Sequence, residues 1–140
     1  MAKVNLMIEL PIPVETAWST VGNFNALARW HPAVAKSEES KEDGATLRRL
    51  TLHGGGSILE RLENTSDTER TYSYSIVESP LPVRGYKAQI TVRPGKSPSS
   101  STVEWSSEFE PSGAPEGEAV KVIQGIFEAG LQNLKKMYGK

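Results

Sequence analysis

The last part of the chain most restricts what it can fold into. Val120, Ile123, Phe127, Leu131, Leu134 and Tyr138 recur at helical spacing and predict one long amphipathic helix from Glu116 to Tyr138. Glu116 and Glu118 favour its start, and Lys135, Lys136 and Lys140 favour its end. Such a helix is about 35 Å long at ~1.5 Å per residue, enough to cross a whole sheet. What precedes it is mostly short segments of alternating polarity, so its apolar face must be buried on a sheet. A sheet that curls around one helix tends to leave a hollow between them, and functional residues are sought there. Gly125 and Gly130 interrupt the helix at a cost of up to ~1 kcal/mol each relative to alanine. Either a close approach to the sheet or room for a ligand accounts for them.

Val4, Leu6, Ile8 and Leu10 alternate with Lys3, Asn5 and Glu9, the period of a half-buried first strand. Pro11 and Pro13 end it, and Pro13 opens a short helix whose apolar face is Ala17, Trp18 and Val21. Gly22-Asn23 stops that helix, and a second helical turn from Asn25 to Trp30 is ended by Pro32. Six further strands are expected near 34–39, 45–53, 57–64, 69–78, 84–93 and 101–110. The segments between them carry turn residues: Glu42-Asp43-Gly44, Gly54-Gly55-Gly56, Ser66-Asp67, Pro80-Leu81-Pro82, and Pro94-Gly95 onward to Ser101.

At 140 residues the chain is expected to form a single α+β domain over 1–140. Sixteen basic side chains stand against seventeen acidic ones, so no electrostatic footprint points to nucleic acid or an anionic membrane. The apolar run at the N-terminus is too short for a signal peptide or a membrane span, and cysteine is absent. A soluble cytoplasmic protein, monomeric or homodimeric, is therefore expected. Three catalytic or ligating patterns are incomplete. The triple glycine lacks the Lys-Ser/Thr and helix of a phosphate loop, and no serine lies in a nucleophile elbow. Two histidines 22 positions apart, without cysteine, make a poor metal site, so no metal or cofactor is expected.

Strand alternation gives candidates for the hollow face. The stripes are Arg48-Leu50-Leu52, Ile58-Glu60-Leu62, Tyr72-Tyr74-Ile76-Glu78, Tyr86-Ala88-Ile90-Val92 and Val103-Trp105-Ser107-Phe109. If the glycine hairpin pairs Leu52 with Ile58, Leu50 faces Glu60 and Arg48 lies diagonal to it, at roughly 7–8 Å. Pairing Leu62 with Tyr72 then sets Tyr74 opposite Glu60. The expected outcome is an Arg48–Glu60–Tyr74 cluster in an otherwise apolar concavity. It serves either as an ion pair that fixes the sheet or as a polar anchor at the base of a lipophilic pocket. Trp18, Trp30 and Trp105 read as core. Trp30 is the exception with a ligand role, because it precedes His31-Pro32 where the helical segment meets the cavity edge. His31 reads as a partly exposed loop histidine, or as a ligand donor or base.

Several segments together resemble one family. They are Pro13-Val-Glu-Thr-Ala-Trp18-Ser-Thr-Val21, Phe24 through Trp30-His31-Pro32, and Gly56-Ser-Ile-Leu-Glu60-Arg61-Leu62. Tyr72-Ser-Tyr74, Leu81-Pro82 with Tyr86, Val103-Glu-Trp105 and the final helix complete the set. The chain resembles the polyketide cyclase/dehydrase and lipid-transport superfamily, the helix-grip proteins that include START domains and the birch-pollen allergens. The resemblance implies a curved seven-stranded antiparallel sheet wrapped around the C-terminal helix, with two short helices after strand 1. In related hormone receptors the hairpin corresponding to His53–Gly56 is a gate. Pro80–Val83 would occupy the opposing loop, although the receptors' gate and latch sequences are not present.

The leading expectation is a carrier or binding domain for a small lipophilic molecule. Its ligand-binding candidates are Trp30, His31, Arg48, Glu60, Tyr72, Tyr74, Tyr86, Trp105 and Phe127. As an alternative the resemblance allows a cofactor-free cyclase/dehydratase-type enzyme, with Glu60 and Tyr74, or His31, moving a proton. A third reading is an accessory interaction domain with a vestigial cavity, contacting its partner through Met7 or Leu81.

Overall fold

The computed structural model describes residues 2–138, and Lys140, expected to favour the helix end, lies outside them. Seven strands form one antiparallel sheet: β1 (Ala2–Leu10), β2 (Val34–Glu42), β3 (Ala45–Leu52), β4 (Ser57–Ser66), β5 (Thr71–Glu78), β6 (Val83–Pro94) and β7 (Ser101–Pro111). Their order is β1-β7-β6-β5-β4-β3-β2. Every neighbour from β2 to β7 is consecutive in sequence, as hairpin-forming turns require. β1 and β2 therefore lie at opposite edges, and the chain between them must cross the sheet. It does so through α1 (Val14–Val21), a 3-10 turn at Phe24–Ala26 and α2 (Leu27–Trp30). The last helix, α3 (Glu116–Tyr138), packs chiefly along β1 and β7. This is the helix-grip arrangement.

The alternation expected of the strands sorts them into two faces. Val4 and Leu10 of β1, Ala88, Ile90 and Val92 of β6, and Val103, Trp105 and Phe109 of β7 are buried on the helix side. Ala119, Ile123, Phe127, Leu131 and Leu134 of α3 close over them. The β2–β3 turn has both central residues at positive φ, Asp43 at 50° and Gly44 at 82°, the geometry for which Asp-Gly is suited.

Four bulges that alternation does not reveal set the pairing, the first at Ala35 in β2, between the pairs Val34–Leu52 and Lys36–Thr51. In β6, Gly85 and Tyr86 together oppose Phe109, and Gly85 has φ 60°. Tyr86 stays in phase with Ala88 on the inner face, where its ring stacks on Phe109 at 6.0 Å, and the glycine bulge turns Arg84 outward. Gly85→Ala is expected to cost about 1–2 kcal/mol for the left-handed backbone, read as a lower urea midpoint. In β4, Glu63 is the extra residue between the pairs Leu62–Tyr74 and Asn64–Ser73. In β5, Val77 is the extra residue between Ile76 and Glu78, and it projects outward at 54 % exposure.

These features correct the expected register. Thr51 pairs with Ser57, which sets Leu50 opposite Ile58 and Arg48 directly opposite Glu60 rather than diagonal to it. Leu62 pairs with Tyr74, not Tyr72, and the residue opposite Glu60 is Ile76 rather than Tyr74. Each shift moves the partner by two residues, so Arg48, Glu60 and Tyr74 stay on the inner face while their partners change. Past the Val77 bulge, however, Glu78, expected to face inward, pairs with outward Leu59 and is exposed beside Arg49.

Candidate functional site

Arg48 and Glu60 face each other across the β3–β4 ladder on the inner side of the sheet. The guanidinium is fully buried, and its Nε donates to Glu60 Oε1 at 2.7 Å. Nη2 is also 2.7 Å from that oxygen, without the alignment of a hydrogen bond. Nη1 donates to the Phe24 carbonyl and, at 3.4 Å, to the Tyr72 hydroxyl. The guanidinium carbon sits 4.1 Å from the centre of the Phe24 ring and 4.8 Å from that of Tyr74. Aromatic faces on a desolvated cation add to what the carboxylate supplies. Burial opposes the Arg48 charge, yet Glu60 and the two tyrosines outweigh it and hold the guanidinium protonated. Burial pushes the Glu60 carboxyl up from its ordinary value, and Arg48 pulls it back in part. Both contacts to Arg48 fall on Oε1; among the described residues Oε2 has no hydrogen-bond partner.

Tyr74 does not join this pair by a hydrogen bond. Its hydroxyl instead accepts from Trp105 Nε1 at 3.0 Å, so the polar cluster is Arg48–Glu60–Tyr72 with Tyr74 contributing a ring. Burial raises the hydroxyl pKa of Tyr72, Tyr74 and Tyr86, which all stay protonated. Phe127 stacks on Trp105 at 4.2 Å, and Trp105 meets Trp30 edge-on at 5.5 Å. Aromatic rings thus fill much of the space expected to be hollow.

What stays open is a cavity of about 100 Å³. Glu60 lines it with Tyr74, Tyr86, Trp105 and His31, and the remaining wall is aliphatic, including Leu50, Ile58, Ile76, Leu81 and Ile126. Five of the nine candidates therefore surround the cavity. Arg48, Tyr72, Trp30 and Phe127 are packed behind it and do not line it. A second cleft, about 300 Å³, shares Ile76 and Tyr86 as walls. It exists because β5 and β6 pair only from Thr71 to Ser75, leaving Ile76–Glu78 and Val83–Tyr86 apart. The glycine hairpin and the Pro80 loop approach each other here: a Cβ on Gly56 would be 3.9 Å from Pro80 Cγ.

His31 is the main departure from expectation. It lies in the loop after α2 as expected, but it is 3 % exposed rather than partly exposed, and both ring nitrogens are bound to backbone. Nδ1 accepts from the Ala33 N–H at 3.1 Å, which leaves Nε2 to carry the proton and donate to the Ile126 carbonyl at 2.7 Å. A ring so occupied has no free nitrogen for a base. Gly130 creates the room, since a Cβ there would stand 2.7 Å from His31 Cδ2. Gly125 meets nothing within 4 Å, so only one of the two glycines marks a close approach. Phe24, which covers Arg48, was not legible: it falls in the irregular Asn23-Phe24-Asn25 break, where no period applies.

Burial lowers the His31 pKa from 6.5, partly offset by the Ile126 carbonyl. The unfolded chain therefore takes up the proton first. Stability from this residue is complete above the unfolded value and is lost as pH falls through the folded one. Wild type is expected to lose more of its urea midpoint than His31→Gln between pH 7.5 and 5.5, and equal losses would contradict the assigned neutral ring.

The family description "Polyketide cyclase / dehydrase and lipid transport" matches residues 1–139. The chain belongs to this family. Among solved structures, the protein XoxI from Bacillus cereus is 36% identical, with 99% of this chain and 96% of that one covered at a TM-score of 0.94. A START superfamily protein from Mycobacterium smegmatis is 17% identical at TM-score 0.80, covering 97% and 96% of the two chains. The Zhui aromatase/cyclase from Streptomyces sp. R1128 is 14% identical at TM-score 0.75, covering 99% and 96%. These last two show the polyketide-cyclase and START fold alone. No curated protein matches the chain. No helix among the described residues is long and apolar enough to cross a membrane.

Proposed function

We propose that this protein binds a small lipophilic molecule in the cavity between the sheet and α3. The observation that carries this reading is an apolar cavity with one buried carboxylate, Glu60, in its wall. Apolar walls with a few placed polar groups are the usual composition of small-molecule sites. At about 100 Å³ the cavity is smaller than the roughly 150 Å³ that takes benzene, so it holds at most part of a single ring unless its walls give. A longer ligand extends past Ile76 and Tyr86 into the cleft between β5 and β6. Within the family, an acid–base role in this cavity falls to Glu60, because His31 has both nitrogens occupied.

Native mass spectrometry of the purified protein, followed by denaturing extraction, tests the binding reading. The expected result is a stoichiometric lipophilic species that is absent from Ile58→Phe, a change that fills the cavity at a cost of about 1–3 kcal/mol. Clean protein that also takes up no single-ring probe such as toluene would overturn it, and the partner-binding alternative would take its place.

A further inference from the structure

The wall of the cavity is specific about the polar group its occupant must carry. Arg48, the cation nearest the site, does not line the cavity; its Nε and Nη1 donate to Glu60, the Phe24 carbonyl and Tyr72, while Nη2, close to Glu60 but without an aligned partner, is buried. It is sealed between the Phe24 and Tyr74 rings, and so offers nothing to a ligand's carboxylate or phosphate. Glu60 does line the cavity and is 5 % exposed, and its Oε2 is the acceptor left without a protein partner. An anion placed here would meet a carboxylate across a low-dielectric space, where like charges repel strongly.

A cation gains less than this carboxylate suggests. Arg48 already neutralises Glu60 at 2.7 Å, so an ammonium would lose its own hydration for a half-committed partner. A neutral donor avoids both costs: it gives one hydrogen bond to a charged acceptor and brings no charge of its own. The protonated Tyr74 and Tyr86 hydroxyls in the same wall suit the lone pairs of such a group.

Building on the lipophilic-ligand reading, we infer that the cavity selects an uncharged molecule whose hydroxyl donates to Glu60 Oε2, and that it rejects carboxylates and ammonium ions of the same shape. Four one-ring probes of matched size test this: toluene, benzyl alcohol, benzoate and benzylamine. Each is titrated into the full chain at neutral pH, with amide chemical shifts as the readout.

Benzyl alcohol is expected to bind about tenfold more tightly than toluene, and benzoate and benzylamine more weakly than benzyl alcohol by a similar factor. In Glu60→Gln, which keeps the shape and replaces the charged acceptor, the alcohol's advantage should shrink several-fold while toluene binding is retained. If toluene and benzyl alcohol both leave the cavity resonances unmoved, the ligand-binding reading itself fails. If toluene binds but benzoate or benzylamine equals benzyl alcohol, that reading stands and the selectivity is wrong. The wild-type rank order decides this even if Glu60→Gln does not fold.

Discussion

Arg48→Ala is expected to destabilise the protein by about 3–5 kcal/mol, the largest loss of any substitution considered. Removing the guanidinium leaves the Glu60 carboxylate buried without its counter-ion and takes the partner from the Phe24 carbonyl. It also empties the space between the Phe24 and Tyr74 rings. Replacing both partners by apolar side chains of similar size should recover most of the loss, because a buried pair repays little beyond its own desolvation. Urea denaturation of Arg48→Ala, Glu60→Leu and Arg48→Met/Glu60→Leu checks this. If the double variant is as unstable as the sum of the two single ones, the pair is not coupled as described.

Gly130→Ala is expected to destabilise by about 1–3 kcal/mol even though alanine favours a helix. The added Cβ would stand 2.7 Å from His31 Cδ2, 3.0 Å from Trp30 Cζ3 and 3.1 Å from Trp105 Cζ3. None of these rings yields easily. His31 is held at both nitrogens, the buried Trp30 ring packs edge-on against Trp105, and Trp105 is stacked on Phe127 and bonded to Tyr74. Gly125→Ala, on the same helix but in open space, should instead stabilise by up to ~1 kcal/mol. The paired comparison separates helix propensity from packing: thermal midpoints moving in opposite directions are expected, and a gain at both positions would contradict the close approach at Gly130.

Much of the architecture was legible because it rests on local periods. The 3.6-residue repeat gave α3 its observed bounds, Glu116–Tyr138, and the two-residue repeat assigned the inner stripes of β3 to β7 except at Glu78, which the Val77 bulge turns outward. Asp43-Gly44 and the triple glycine ended strands where expected, because positive φ is a property of the residue itself. The site was only partly legible. Arg48 and Glu60 were expected near each other, yet their direct pairing and the loss of Tyr74 from the cluster depend on where the hairpins close and on the Glu63 bulge. A bulge leaves no mark in an alternating pattern unless it demands glycine, as at Gly85.

By itself, then, the sequence determined which residues face inward and which element covers them, since those follow from periodicity and backbone preference within one segment. Only the tertiary structure decided how much of the interior remains open and which polar atoms are still free. Those depend on distant segments meeting: Phe24 over Arg48, Trp105 on Tyr74, and His31 against Gly130 and the Ile126 carbonyl. Close packing makes such contacts all-or-none, so a shift of two residues redistributes partners and volume while the paired side chains keep their faces.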